Sequence, residues 1–230
     1  MTAGVDTSFD YFSDTPPGKD PDRYSPTLRR HHQLLWNKEL PTGGCFTLVP
    51  EPGAHLVHRS GSGVFFLSSD AITTRMKHKA ARLRCDISSE DLPAYRGYTA
   101  GSILVFPGNS IGGKMTVNRA RGCHPRIADR FDLTLECIRR HYLDEFPNPL
   151  GDVLHRYADF FALFGDFTGY VNFFLLQDLV EEDGKTIRYF HPFDDFRTTA
   201  VPKTCAEYLA YLRRSEEFIT ARSRTIDAEP

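Results

Sequence analysis

GNSIGGKMTVNRARGCHPRIADRFDLTLECIRRHYLD, residues 108–144, holds the clearest helix of the chain and its densest run of guanidinium and carboxylate groups. Ile127, Phe131, Thr134, Leu135, Ile138 and Tyr142 recur at intervals of three and four, so they form one apolar stripe and predict an amphipathic helix with that face buried. Pro125 suits the first helical position, where a missing N–H costs nothing, and Pro147 and Pro149 close the region. The spacing therefore predicts a helix over 125–144, with Glu136 one turn before Arg140 as a supporting pair. Upstream, Gly108, Gly112, Gly113, Asn118, Arg119 and Arg121 predict a loop that leads into the helix N-terminus.

Working outward, SILVF at 102–106 is a compact apolar run ending at Pro107–Gly108, which predicts a buried central strand. CFTLV, AHLVH and GVFFLS, between residues 45 and 68, predict short strands separated by Pro50, Pro52, Gly53, Gly61 and Gly63. Ser25 before Pro26 predicts a helix N-terminus, with Leu28, Leu34, Leu35 and Trp36 continuing towards Pro41. His31 and His32 are adjacent on that helix and point in different directions, so they predict ordinary surface or half-buried side chains rather than a chelating pair. Downstream, Asp152 predicts the cap of a helix over 152–164 that ends at Gly165. YVNFFLLQDLV, the Glu182-Asp183-Gly184 turn and TIRYF predict a β-hairpin over 170–190. Thr204 and Glu207 form a capping box for a last helix striped with Tyr208, Leu212, Ser215 and Ile219.

The fold class expected is α/β or α+β, a single mixed domain whose small sheet packs against several helices. Residues 1–24, with Pro16, Pro17, Gly18 and Pro21, are expected as an extended arm, 25–222 as the globular body and 223–230 as a frayed tail. A chain of 230 residues with 40 % hydrophobic content and 18 Phe is able to bury one sizeable core. A net charge of −2 disfavours a nucleic-acid-coating surface, unless the basic segment at 75–84 joins Arg119 and Arg121 on one face. Five cysteines without a CxxC pair fit reduced thiols, and the absence of a leader or a long apolar run predicts a soluble, cytoplasmic protein without membrane contact.

YSPTLRRHHQLLW, SSDAIT, NRARG, RFDLTLECIRRHY, GYVNFFLLQDLV and YFHPFDDF, taken in this order, resemble an uncharacterised bacterial family known as a domain of unknown function. The resemblance spans most of the chain. It implies a single domain and brings no activity, ligand or catalytic residue with it.

For chemistry, the residues themselves point to an anion pocket. Asn118, Arg119, Arg121 and Arg130 are the candidate ligand-binding donors for a phosphorylated small molecule or nucleotide. GNSIGGKM is not a GxxxxGK[ST] loop, because Met115 stands where the magnesium-binding hydroxyl belongs. The same arginines are equally able to pair with Asp129, Asp132 or other carboxylates. Asp129, Asp132 and Glu136, at helical offsets, would suit a metal only with a second set of ligands, for which Asp194 and Asp195 beside His191 are the choice. Asp132, Glu136, His191, Asp194 and Asp195 are accordingly the candidate acid/base or metal residues; neither the metal nor a cofactor is specified. Cys123 beside His124 and the serines at 60–69 match no nucleophile motif. The rival reading is a non-catalytic protein-interaction module in which the arginines hold the loop against the core.

Overall fold

The computed structural model describes residues 4–51, 54–72, 76, 79–94 and 96–229. Pro52, Gly53, Arg75, Lys77 and His78, which entered the strand-break and basic-segment readings, lie outside the described residues. Helices α1 (Pro21–Tyr24) and α2 (Pro26–Trp36) precede a two-stranded ribbon, β1 (Lys38–Glu39) with β2 (Cys45–Phe46), and then β3 (Leu48–Val49), β4 (Val57–Ser60) and β5 (Gly63–Ala71). A short α3 (Ala81–Cys85) leads to β6 (Ile103–Pro107), followed by α4 (Val117–Cys123), α5 (Phe131–Leu143), α6 (Gly151–Arg156), α7 (Ala158–Ala162), α8 (Phe167–Phe173) and α9 (Cys205–Ala228). The result is one mixed α+β domain with two small antiparallel sheets.

The larger sheet has the order β3-β4-β5-β6, each pair antiparallel. All five residues of β6 are buried, as an uninterrupted apolar run demands, yet β6 is terminal in that order rather than central. Helix α9 covers its approach. Arg222, fully buried on α9, donates to the carbonyls of Ala100, Gly101 and Ile103 (3.2, 3.1 and 2.7 Å) and of Phe174, so its charge is dispersed over backbone dipoles. A Cβ on Gly101 would lie 2.1 Å from Ser223 Oγ, which explains glycine at this close approach. Along β5 the inward positions are Phe65, Leu67 and Ser69, so a hydroxyl occupies a place where the alternation expects an apolar group.

Several expectations are corrected. Residues 10–24 are no extended arm: Tyr11 is buried and its hydroxyl lies 2.9 Å from His31 Nδ1, while Asp14 accepts Ser25 Oγ at 2.6 Å. The tail is helical to Ala228, and Thr7 donates to Asp227 at 3.0 Å, tying the two ends together. The hairpin over 170–190 is a helix followed by a single bridge, Val180 to Ile187. Asp166 caps α8 by accepting the Gly169 N–H at 2.7 Å, and residues 170, 171, 173 and 174 are all buried, a run that period alone cannot assign to strand or helix. The 152–164 helix is split at Tyr157, and Asp152 lies inside its first turn rather than at the cap. The capping box of Thr204 and Glu207 stands as expected, as does Ser25 before α2.

The organising helix begins at Phe131, six residues later than Pro125 predicts. Ala128 and Asp129 adopt φ of 49° and 68°, left-handed values that break any helix running through 124–130. Conversely NRARG is no loop: Thr116 caps α4 by accepting the Arg119 N–H, and the arginines are carried on helix. Of the apolar stripe, Phe131, Thr134, Leu135 and Ile138 are buried on α5 and Tyr142 is half-buried, while Ile127 is buried ahead of the helix.

Candidate functional site

The two arginines of NRARG point to opposite environments. Arg119 is exposed, whereas Arg121 on the next helical face is 0 % exposed. Arg121 donates to Asp70 Oδ2 at 2.5 Å, Thr134 Oγ1 at 3.0 Å and the Asp129 carbonyl at 2.9 Å, and pairs with the Asp129 carboxylate at 2.9 Å. The left-handed turn at Asp129 is what brings both its carbonyl and its carboxylate to this guanidinium. Burial opposes the charge, but Asp70 and Asp129 more than compensate and hold the guanidinium above its ordinary pKa. Asn118 is turned towards β5, where its amide donates to the Ser68 carbonyl and hydroxyl and the Ser69 carbonyl at 3.2–3.4 Å. Neither Arg121 nor Asn118 therefore offers an open donor to a phosphate, and Arg121 cannot join a basic nucleic-acid face.

Arg130 and Asp132 form a closed bidentate pair, Nε–Oδ1 at 3.1 Å and Nη2–Oδ2 at 2.5 Å, both residues buried. The remaining valences are filled by the Ala200 and His191 carbonyls and by the Phe190 N–H. Glu136 accepts from Arg139 (2.9 Å) and Arg140 (2.6 Å), and Arg140 continues to Asp195 at 2.6 Å and the Pro147 carbonyl at 2.7 Å. Asp129, Asp132 and Glu136 thus each meet a different guanidinium, which leaves no oxygen cage for a magnesium ion on this helix. Asp194 is exposed and caps a turn, accepting from Thr198 N and Oγ1 and from Arg197 N; the Thr198 hydroxyl holds its carboxyl below the usual range.

Of the expected residues, Arg130, His191 and Asp194 do meet along one cleft of about 140 Å³, while Arg119, Glu136 and Asp195 do not line it. Burial lowers the His191 pKa, with Arg130 adding to it, so the imidazole is neutral at pH 7. Both carboxylates that line the cleft beside His191 are engaged, Asp194 in its turn and Glu207 by the N–H groups of Lys203 and Thr204.

A second constellation lies outside the candidate residues that motif and spacing pick out. His32, expected as surface or half-buried, is buried, and its Nε2 lies 2.8 Å from Ser69 Oγ, while Ser69 N donates to Asp22 Oδ2 at 2.7 Å. Serine, histidine and aspartate together suggest a nucleophile and its base. The hydrogen-bond direction excludes that role: the Trp36 indole N–H, which can only donate, points to His32 Nδ1 at 3.0 Å. The ring proton therefore sits on Nε2 and is donated to Ser69, so this imidazole cannot take the hydroxyl proton. Burial, with Arg222 and His31 adding to it, lowers the His32 pKa to about 3 and keeps the ring neutral. The readable signals were Ser69 at an inward strand position and the Asp-Pro-Asp of residues 20–22.

A further open site adjoins the glycine-rich turn. Gly112 and Gly113, at φ of 60° and 71°, fold residues 111–115 back on themselves, and Arg156 of α6 pins the turn by donating to the Met115 carbonyl at 2.8 Å. Between turn, α4 and α6 runs a groove of about 650 Å³ with apolar walls from Met115, Pro125, Leu150 and Val153. Lys114, His124 and Arg156 line it too, against a single carboxylate, Asp152. His124 is held below its ordinary pKa by partial burial and by Arg126, so it is a neutral hydrogen-bonding group at pH 7. The groove of about 520 Å³ beside Tyr189 and Phe218 differs in charge, since Arg188 and Arg214 are offset there by Asp178, Glu181 and Glu217.

Among the described residues no helix is long and apolar enough to cross a membrane. The chain belongs to a family of unknown function (DUF6994), whose family model matches residues 5–226. No curated protein and no solved structure matches it.

Proposed function

We propose, from a family membership that brings no activity with it, that the protein binds a small phosphorylated molecule, nucleotides included, in the groove between the glycine-rich turn and α6. The apolar part of the ligand lies against Met115, Leu150 and Val153, and its phosphate is met by Lys114 and Arg156, with His124 as a neutral donor. The observation that carries this reading is the composition of the groove: apolar walls, two cations and one carboxylate, on the same stretch that carries the glycines. The role is binding rather than catalysis, because Asp132, Glu136 and Asp195 are held by guanidinium groups and Asp194 by its own turn.

A non-catalytic interaction module is the second reading, favoured by Met115, which is 47 % exposed at the groove. A thermal-shift screen of the full chain against nucleotides and sugar phosphates separates the two. A ligand at about a hundred times its Kd stabilises the folded state by about 2.7 kcal/mol. The shift is expected to disappear in Lys114→Ala and persist in Arg119→Ala. Absence of any shift, or loss confined to Arg119→Ala, overturns the groove reading.

A further inference from the structure

Asp-Pro-Asp at residues 20–22 begins α1, and Pro21 at its first position fixes the two flanking carboxylates relative to each other. Asp20 caps the helix with Oδ1, which accepts the Asp22 N–H at 3.1 Å, and leaves Oδ2 3.2 Å from His55 Nε2. One ligand atom from each of Asp20, Asp22 and His55 lies within 4.8 Å of the others. A second, independent observation concerns Asp22 alone. It is 6 % exposed, its Oδ2 accepts the Ser69 N–H, and its Oδ1 accepts no hydrogen bond among the described residues. Asp132 and Glu136, buried to a similar degree, are both gripped by arginines. The neighbouring Arg29 guanidinium does not answer Asp22, because it donates to the carbonyls of Asp22, Ala54 and Glu51 rather than to the carboxylate.

A largely buried carboxylate whose unpartnered oxygen still reaches solvent, a second carboxylate and an imidazole nitrogen within one ion's reach form a mixed oxygen and nitrogen ligand set. We propose that Asp20, Asp22 and His55 bind a divalent transition-metal ion of the manganese and zinc class. The imidazole favours these ions over calcium or magnesium, which prefer oxygen ligands alone. Binding replaces the Asp20–His55 contact, supplies the missing positive charge to Asp22, and clips α1 to the segment entering β4. Three protein ligands leave further coordination positions to water. None of the three residues lines the groove beside the glycine-rich turn, so this site stands or falls separately from the proposed function.

The test uses the full chain, freed of metal with a chelator and titrated with Mn²⁺ by calorimetry and with Co²⁺ by absorption. One equivalent is expected to bind, and the Co²⁺ spectrum should show d–d bands without thiolate charge transfer, which excludes the exposed Cys45, Cys85 and Cys123 as ligands. Asp20→Asn retains helix capping, and the His55 side chain is 27 % exposed, so His55→Ala should also fold. Each variant should weaken Mn²⁺ binding by about tenfold or more, and the metal-induced rise in melting temperature should vanish. Unchanged affinity in both variants, thiolate bands with Co²⁺, or no binding of Mn²⁺ to the folded wild type would overturn the proposal.

Discussion

Asp132 at the start of α5 and Asp22 in α1 are both buried, at 0 % and 6 % exposed, but their surroundings differ. Asp132 is held by both arms of the Arg130 guanidinium and by the Phe190 N–H, whereas the Asp22 carboxylate accepts one backbone N–H and pairs with no guanidinium among the described residues. The α4–α5 region has answered every buried charge internally, so its arginines and carboxylates are architecture. At α1, and around the groove by the glycine-rich turn, charge is left over. A dense charged motif is therefore a poor guide to function here, and unanswered charge a better one.

The largest effects are expected in the saturated α4–α5 network. Asp132→Asn or Arg121→Ala strands a buried partner, and each should lower unfolding free energy by about 3–5 kcal/mol in denaturant titrations; a loss below about 1 kcal/mol in both would show that the network is not structural. The next effect is the pH dependence of the α1–α2 region. His32 has a folded pKa of about 3 against an ordinary 6.5, so its contribution is fully present above pH 6.5 and is lost as pH falls towards 3. Stability should fall by about 1.4 kcal/mol per pH unit across that window from this group, and His32→Gln should flatten the slope measured by denaturation at stepped pH. Asp22→Asn, which keeps an acceptor for Ser69, should change stability at pH 7 in chelator by no more than about 1 kcal/mol, sharpening the contrast with Asp132→Asn. Smallest of all, Arg119→Ala should stay within about 0.5 kcal/mol of wild type by the same titration, although it lies two residues from Arg121.

Much of the frame was legible from residue pattern. The stripe from Ile127 to Ile138, the β6 run, Ser25 before α2 and the Thr204–Glu207 box each act locally, within a turn or a strand. The break at 124–130 was not, because Ala128 and Asp129 go left-handed to serve Arg121, a tertiary demand. The supposed hairpin failed because Tyr170, Val171, Phe173 and Phe174 are buried on either side of an exposed Asn172, a run too short for its period to separate helix from strand. For the candidate site, pattern picked out the glycine-rich turn and the charged groups, but pairing is decided by the fold. Whether Arg121 meets a phosphate or Asp70 is invisible until β5 is placed beside α4. Ser69, His32 and Asp22 converge from three elements, with an inward serine on β5 and the Asp-Pro-Asp of residues 20–22 as the local clues.

Whether the groove rather than the NRARG arginines receives the ligand is decided by an amide-resolved NMR titration. The isotope-labelled full chain is titrated with the phosphorylated compound that raises its melting temperature. Saturable shifts centred on Lys114, Met115, Leu150 and Val153 are expected, and their absence in Lys114→Ala. Shifts centred instead on His191, Thr198 and Lys203, or on Arg119 with the groove silent, would contradict it.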